Sequence, residues 1–438
     1  MGTKTQKLSN VVDQIVEWQS VFTGDGSTGL TAVAGRGYFI DTTSGTVTVT
    51  LPTDANSKLG DTIIIRDYSG TFATNNVTLT STANISGADT DGTLSTNNLV
   101  MTLTYVNSTK GWVTMENEAK AAVAVAATYV VATGGTVTTS GDYKIHTFTG
   151  DGCFVVSQLG NSPIAPTGGP NALDYLVVAG GGGGGAGWRS GGGGAGGYRE
   201  SSGNTGCYTA SPLATPTGLT ATLTTYPVTV GGGGTGGGPN LPCKGTNGSN
   251  SVFSTITSAG GGLGGEYNPV CSADHSGSPG GSGGGGGGNN PPSSPVGGTG
   301  NTPPVSPAQG TNGGNGNADG SLSRGAGGGG ASTAGTPSLP GNQGCGGAGT
   351  TSSINGTPTA RAGGGGGGCY ESTSSPPSGG LGGGGAGGCS PTGTSPGATG
   401  GTNGTANTGG GGGGKAGRDD ANLSGSGGKG IVIIRYKF

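Results

Sequence analysis

The sequence predicts a mainly β protein: small β-sandwich or barrel modules at the N-terminus, then a glycine-rich domain of packed polyglycine-II helices with displayed loops. Residues 23–116 alternate apolar and Thr side chains, as in GTVTVTLP, which is the period of half-buried strands. Residues 174–438 contain 89 of the 109 glycines, including four runs of six. Only 9% of residues are charged, whereas disordered chains are usually highly charged, so the glycine-rich half is predicted to be ordered.

Glycine can build a domain because it adopts the polyproline-II geometry without side chains that keep neighbouring helices apart. Such a helix has about three residues per turn and no internal hydrogen bonds, so its amides are free to bond neighbouring helices. Two apolar strands bracket the glycine-rich region, and pairing of Leu176–Val178 with Ile431–Ile434 is predicted to join its ends. In the smaller β segment before it, Tyr143, Ile145 and Phe148 are predicted to face inward.

The chain is predicted to divide into five segments. Residues 8–22 have apolar side chains at helical spacing, and residues 116–128 are rich in alanine, so both are expected to be helical. The predicted order is a docking or oligomerisation segment (1–22), a β module (23–116), a helical connector (117–128), a small β module with a linker (129–170) and the glycine-rich polyglycine-II domain (171–438).

Composition argues against several classes of function. The net charge of −3 and the lack of a Lys/Arg run argue against nucleic acid or an anionic membrane as a partner. No apolar run approaches the roughly 18 residues that span a bilayer, so no membrane insertion is expected. The N-terminus lacks the apolar core of a secretory signal, so synthesis in the cytoplasm without a cleaved leader is expected.

Catalytic and metal-binding patterns are weak. The stretch GGGGGGKAG resembles a phosphate-binding loop, but Ala416 replaces the Ser/Thr that would contact Mg²⁺. His146 lies in a strand pattern and is expected to be structural, and His275 lacks a second pair of metal ligands. We therefore expect no enzymatic activity, no cofactor and no metal.

Seven cysteines form an odd set, and six of them lie close to glycine runs. They are either scattered reduced thiols or loop staples that close in an oxidising medium, and sequence cannot choose their pairing. Cys153 is the seventh. The candidate disulfide cysteines are Cys207, Cys243, Cys271, Cys345, Cys369 and Cys389.

Isolated aromatic and charged residues between the glycine runs are candidates for binding a partner. Tyr, Trp and Arg supply contact area at modest entropy cost and dominate binding hot spots. The alternative is that these rings only cover the ends of the lattice. The candidate receptor-binding residues are Trp188, Arg189, Tyr198, Tyr267, His275 and Tyr370.

Several motifs in order resemble the glycine-rich domain of tail-fibre-like proteins of tailed bacteriophages, notably phages of marine bacteria. They include TSGDYKIHTFTGDGCFVV, LDYLVVAGGGGGGAG, TTYPVTVGGGGTGG and GGKGIVIIRYKF, and RGYFIDTTSGTVTVTLP resembles the β module often found upstream. The resemblance to distal tail-fibre adhesins implies polyglycine-II helices with variable loops that bind host outer-membrane receptors. This chain departs from them in its N-terminal β modules and its many prolines and cysteines, so no individual receptor residue is carried over.

The resemblance implies a virion appendage, a tail fibre or tip adhesin. Its N-terminal region is expected to attach to other virion proteins, and its glycine-rich loops to bind a bacterial outer-surface protein or glycan. A homo-oligomer, a trimer by analogy with fibres, and localisation in the extracellular particle are expected. The alternatives are a capsid decoration or head-fibre protein with weak adhesion, and an ice-binding or other structural glycine-rich protein.

Overall fold

The computed structural model forms two compact units, Met1–Ala127 and Thr128–Phe438, which are considered separately. The residues described are 16–88, 91–114, 124–125, 128–160, 171–202, 208–238, 245–267, 275–288, 295–317, 324–339, 344–370, 375–391, 397–417 and 423–438.

The first unit contains eleven described strands and one 3-10 turn at Asp54–Asn56, which is the only helical element in the described part of the whole chain. The strands are β1 (Glu17–Trp18), β2 (Phe22–Thr23), β3 (Leu30–Thr31), β4 (Arg36–Asp41), β5 (Val47–Thr50), β6 (Thr62–Asp67), β7 (Val77–Thr80), β8 (Gly92–Leu94), β9 (Val100–Tyr105), β10 (Trp112–Thr114) and β11 (Ala124–Val125).

Two sheets contribute to one hydrophobic core in this unit. One has the order β1-β4-β6-β9-β10, with β2 also paired to β4, and the other has the order β11-β8-β7-β5-β3. The predicted alternation is confirmed, because Val47, Val49 and Leu51 are buried in the shared cluster while the Thr residues between them are exposed. The alternation places one face of each sheet in the core.

The predicted helices are wrong wherever the structure describes these segments. Residues 17–18 and 22–23 are strands at the edge of the first sheet, where Glu17 N–H donates to the Gly35 carbonyl at 2.9 Å. Residues 124–125 form β11, which pairs with β8. Residues 1–15, 115–123 and 126–127 lie outside the described residues. Helical spacing is a local signal, and the unpaired edge of a sheet supplies hydrogen bonds that override it.

The second unit contains sixteen strands in its described residues. They are β12 (Val131–Thr133), β13 (Thr136–Ser140), β14 (Tyr143–Phe148), β15 (Gly152–Gln158), β16 (Ala172–Val178), β17 (Tyr198–Ser201), β18 (Ala214–Thr215), β19 (Leu219–Thr220), β20 (Thr225–Thr229), β21 (Ser251–Phe253), β22 (Ile256–Ser258), β23 (Thr350–Ser352), β24 (Thr359–Arg361), β25 (Cys369–Tyr370), β26 (Cys389–Ser390) and β27 (Ile431–Lys437).

The central sheet of this unit has the order β13-β14-β27-β16-β17-β18. The predicted joining of the domain's ends is confirmed, because Leu176 pairs with Ile433 and Val178 with Ile431. Both strands are buried on both faces. One face packs with a second sheet, β12-β15-β20-β21-β22, and the other packs on alanines of the glycine segments. The three side chains of β14 that are predicted to face inward are all buried: Tyr143, Ile145 and Phe148. Because β14 pairs with β27, residues 129–160 share sheets with the glycine-rich region.

The glycine segments bond to one another with a period of three residues. In residues 191–196, amides three residues apart donate to the same neighbouring segment. Gly191 and Gly194 donate to the carbonyls of residues 265 and 262. Gly192 and Ala195 donate to residues 326 and 329, and Gly193 and Gly196 donate to residues 412 and 409. Each segment therefore points successive amides at three different neighbours. These hydrogen bonds measure 2.8–3.0 Å between nitrogen and oxygen.

Segment 191–197 lies at the centre of the packing and bonds to six neighbouring segments. Its amides donate hydrogen bonds to three of these segments. Its carbonyls accept hydrogen bonds from the other three, through the amides of Gly182, Gly285 and Gly365 among others. The six neighbours are 180–185, 260–265, 283–288, 325–330, 363–368 and 409–414. These six neighbours form a ring around segment 191–197, and all four runs of six glycines belong to it.

Segments outside the ring have room for side chains only at outward positions. In residues 399–405, Thr399, Thr402 and Thr405 are exposed at a spacing of three, while the glycines between them face neighbours. At the centre of the ring, by contrast, a Cβ atom added to Gly193 would lie 2.2 Å from the Gly182 carbonyl oxygen. Position in the packing therefore decides which residues of a segment must be glycine.

We expect Gly193→Ala to lower the free energy of unfolding by about 3 kcal/mol or more. The new Cβ atom would meet the backbone of the neighbouring segment, which cannot move aside as a side chain can. Gly232→Ala is the matched control, because nothing lies within 4 Å of a Cβ atom there. Its unfolding free energy should stay within about 0.5 kcal/mol of wild type. Chemical denaturation measures both, and equal losses in the two variants would contradict the packing.

We expect stability to fall in acid through His146. Its Nδ1–H donates to the Gly134 carbonyl at 2.7 Å and its Nε2 accepts from the Tyr436 hydroxyl at 3.0 Å, which requires the neutral ring. Burial lowers the pKa of His146 below 6.5. The unfolded chain therefore takes up the proton first, and the unfolding free energy decreases as pH falls below about 6.5. The unfolding free energy, measured by urea titration at several pH values, should depend less steeply on pH in His146→Phe than in wild type. An equal dependence on pH in both proteins would contradict this assignment.

Candidate functional site

A short loop, residues 186–190, closes the end of the central glycine segments that lies away from β16. It connects segment 180–185 to segment 191–197, so it lies over the middle of the lattice. The Arg189 carbonyl accepts from Gly288 N–H at 2.8 Å, and the Trp188 carbonyl accepts from Gly417 N–H at 3.2 Å. Gly187 has a φ of +92°, and a Cβ atom there would lie 1.6 Å from the Tyr267 carbonyl oxygen. Only glycine fits, so the lattice fixes the direction in which Trp188 leaves the loop.

Five of the six predicted binding residues meet at this loop, and we call them the aromatic cap: Trp188, Arg189, Tyr267, His275 and Tyr370. The Trp188 ring stacks on Tyr370 with centroids 6.4 Å apart and meets Tyr267 edge-on at 5.7 Å. The Arg189 guanidinium carbon lies 5.1 Å from the centre of the Tyr267 ring and 5.0 Å from that of Tyr370. The guanidinium is therefore held by two ring faces.

His275 completes the aromatic cap through Tyr267. The two ring centroids are 5.7 Å apart, and His275 Nδ1–H donates to the Glu266 carbonyl at 2.7 Å. This hydrogen bond fixes the orientation of the imidazole beside the tyrosine. Segment 283–288 holds the backbone of His275, because Gly287 N–H donates to its carbonyl at 2.9 Å.

The residues of the aromatic cap differ in exposure. Tyr267 and Tyr370 are 7% and 6% exposed, whereas Trp188, Arg189 and His275 are only half-buried. The tyrosines thus support the cluster, and the tryptophan and arginine present it to solvent. This division of roles was not predicted from the sequence, which treated all of them as contact residues.

A disulfide lies directly beneath Tyr370. Cys369 and Cys389 are bonded across the parallel pair of β25 and β26, in which Tyr370 faces Ser390. Arg324 forms an isolated β-bridge with Cys369, which no sequence pattern indicates. Of the other candidate cysteines, Cys345 is a half-buried free thiol, the reduced one of its two predicted states, and Cys207, Cys243 and Cys271 lie outside the described residues. Cys153 is an exposed free thiol.

Tyr198 is not part of the aromatic cap. It lies on β17, is 1% exposed, and its hydroxyl donates to the Glu200 carboxylate at 2.8 Å. Burial, followed by the charge of Glu200, raises the pKa of Tyr198 far above its usual value. Burial lowers the pKa of Arg361, and the nearby Tyr198 and Glu200 act in the opposite direction. These contacts give Tyr198 a role in the core beneath the central sheet.

The described residues include no group of three or more His, Cys, Asp or Glu side chains that could hold a metal ion. Within the same parts of the chain, no helix is long and apolar enough to cross a membrane.

A family model for a glycine-rich domain matches residues 156–437. The chain belongs to this glycine-rich domain family. The match includes β16, β27, every glycine segment and the whole aromatic cap, so the cap is carried by the glycine-rich domain itself. No curated protein sequence matches the chain.

We expect Arg189 and Tyr370 to be energetically coupled by about 1 kcal/mol, the range of a partly buried cation–π contact. A double-mutant cycle of Arg189→Ala and Tyr370→Ala in chemical denaturation measures this coupling. The pair Arg189→Ala and Tyr198→Phe is the control and should be additive, since Tyr198 lies in another cluster. Additive losses for Arg189 and Tyr370 would show that the ring contact contributes nothing.

Proposed function

We propose that the protein is an appendage of a phage particle, a tail fibre or tip adhesin, that binds a bacterial outer-surface protein or glycan through the aromatic cap. The observation that carries the proposal is the convergence of Trp188, Arg189, Tyr267, His275 and Tyr370, from four separate parts of the chain, at the centre of one lattice end. Clusters of Trp, Tyr and Arg held rigidly are typical of binding hot spots.

The finer fold is part of this proposal. We infer that the glycine segments are polyglycine-II helices, which the three-residue period of their hydrogen bonds supports. We infer that the first unit is a small β-sandwich, which its two sheets and single hydrophobic cluster support. In an adhesin, such a lattice acts as a rigid mount for loops.

The remaining roles of this proposal rest on the resemblance to tail-fibre proteins of phages. The N-terminal region attaches the protein to other virion proteins, in a homo-oligomer that we take to be a trimer by analogy with fibres. The second unit carries the receptor-binding end. The protein acts in the extracellular particle, is made in the host cytoplasm, and performs no catalysis.

The rigidity of the aromatic cap favours binding over surface coverage. Its backbone is tied to segments 283–288 and 409–417 by hydrogen bonds, and its rings and guanidinium hold one another, so its side chains lose little additional entropy when a partner binds. Trp188 stacks on Tyr370 and Arg189 lies over the rings of Tyr267 and Tyr370, yet both Trp188 and Arg189 remain half-buried and open to a partner.

The test is binding of the full-length protein to a panel of intact bacterial strains. We expect saturable binding to a responsive strain, and a loss of at least tenfold in affinity for Trp188→Ala combined with Arg189→Ala. Tyr68→Ala is the control, since Tyr68 is 60% exposed in the other unit and its removal should leave affinity unchanged.

A folded protein that binds no strain would sink the adhesin proposal, and a double variant that binds as wild type would refute the aromatic cap as its binding site. Folding of each variant is checked by its cooperative thermal transition. The first outcome would favour a capsid decoration protein. The second would place the contact elsewhere on the molecule.

A further inference from the structure

Tyr370 of the aromatic cap stands one residue beyond Cys369, whose amide still takes part in the lattice hydrogen bonds. Cys369 N–H donates to the Gly388 carbonyl at 2.9 Å, and Cys389 N–H donates to the Thr399 hydroxyl at 2.8 Å. These bonds hold the two cysteine backbones in place. Tyr370 follows immediately, and its pairing partner is Ser390 in a parallel ladder of only two residues. A ladder this short is not stable by itself, so Tyr370 needs another restraint.

The disulfide supplies that restraint in a confined space. The Cα atoms of Cys369 and Cys389 are 4.6 Å apart, near the short end of the range for disulfides. Both residues are buried, at 2% and 7% exposure. Reduction removes this cross-link and leaves Tyr370 held by the two-residue ladder.

Loss of this restraint acts on the binding cluster. Tyr370 stacks under Trp188 and carries one face of the Arg189 guanidinium. A shift of its backbone opens both contacts at once, whereas the glycine segments below keep their own hydrogen bonds. The state of one disulfide is thereby coupled to the geometry of Trp188 and Arg189, two half-buried residues of the aromatic cap.

We propose that the Cys369–Cys389 disulfide is a redox switch for binding: the aromatic cap is assembled when the bond is formed and loosened when it is reduced. This inference rests on the proposed function, in which the protein is made in a reducing cytoplasm and acts outside the cell. Disulfides persist in oxidising compartments and are rare in the cytosol. An adhesin built this way gains its full affinity only after release.

The closing step is thiol–disulfide exchange with a low-molecular-weight disulfide such as oxidised glutathione. One cysteine thiolate attacks the reagent, forms a mixed disulfide and releases one molecule of reduced thiol. The other cysteine thiolate then attacks the protein sulfur and releases the second. Two electrons pass from the cysteine pair to the reagent, and the two cysteine protons end on the released thiols.

The experiment compares cell binding by the full-length protein after treatment with oxidised glutathione and after treatment with a reducing phosphine. The cells are a strain from the panel that binds the wild-type protein. We expect reduction to weaken cell binding at least tenfold and to diminish the near-ultraviolet circular dichroism of the aromatic rings, while the thermal transition remains cooperative. The double variant Cys369→Ala/Cys389→Ala should bind weakly in both states. Cys153→Ala, which removes an exposed free thiol, is the matched control and should respond to reduction as wild type does.

The readouts separate this inference from the proposed function. Equal binding by oxidised and reduced protein, or a double variant that still responds to reduction, would overturn the switch. Absence of binding in either state would refute the adhesin proposal. The switch would then be decided by circular dichroism alone: an unchanged aromatic signal on reduction overturns it, and a loss in wild type but not in the double variant supports it.

Discussion

The amide–carbonyl hydrogen bond between neighbouring glycine segments is the interaction on which the second unit depends. A segment with a three-residue period has no bonds within itself, so each buried N–H must find a carbonyl on another segment. Segment 191–197 meets this requirement with six neighbours. Ordering so much glycine is entropically expensive, and these bonds together with close backbone packing offset that loss.

This constraint decides where chemistry is possible. Segment 191–197 and its neighbours approach so closely that a single Cβ atom on Gly193 would overlap the Gly182 carbonyl oxygen. Functional side chains are therefore excluded from the interior and appear at outward positions or at segment ends. One end merges into the sheet through β16 and β27, where Leu176 and Ile433 form a conventional core. The end that carries Trp188 is left to present side chains.

Much of the fold could be predicted because its signals are local or repeated. Glycine runs, alternating strands and the pairing of Leu176–Val178 with Ile431–Ile434 all follow from composition and pattern. The two predicted helices failed where the structure describes them, because sheet edges competed for the same residues. The spacing of apolar residues within 8–22 carries no information about the edge of β4, with which β1 and β2 pair.

The aromatic cap was predictable as a set of residues but not as a site. Trp188, Tyr267 and Tyr370 each stand out as isolated rings beside glycine runs, yet so does Tyr198, which lies in a different cluster. What brings the three together is the order in which segments pack, and identical glycine segments do not encode that order in any local pattern. The same ambiguity hid the pairing of Cys369 with Cys389, which follows from the adjacency of segments 363–368 and 383–388.

A lattice held mainly by backbone hydrogen bonds separates stability from the side chains that it displays in a way that side-chain cores do not. Replacing a residue of a packed core changes both shape and stability, because the same atoms fill space and present the surface. Here the backbone hydrogen bonds of the ring segments do not depend on which residue stands at Trp188 or Arg189. The exception is Gly187, whose φ of +92° and contact with Tyr267 tie the loop to its neighbour. The side chains at this end of the glycine-rich domain can therefore change, while the glycines that position that end must stay fixed.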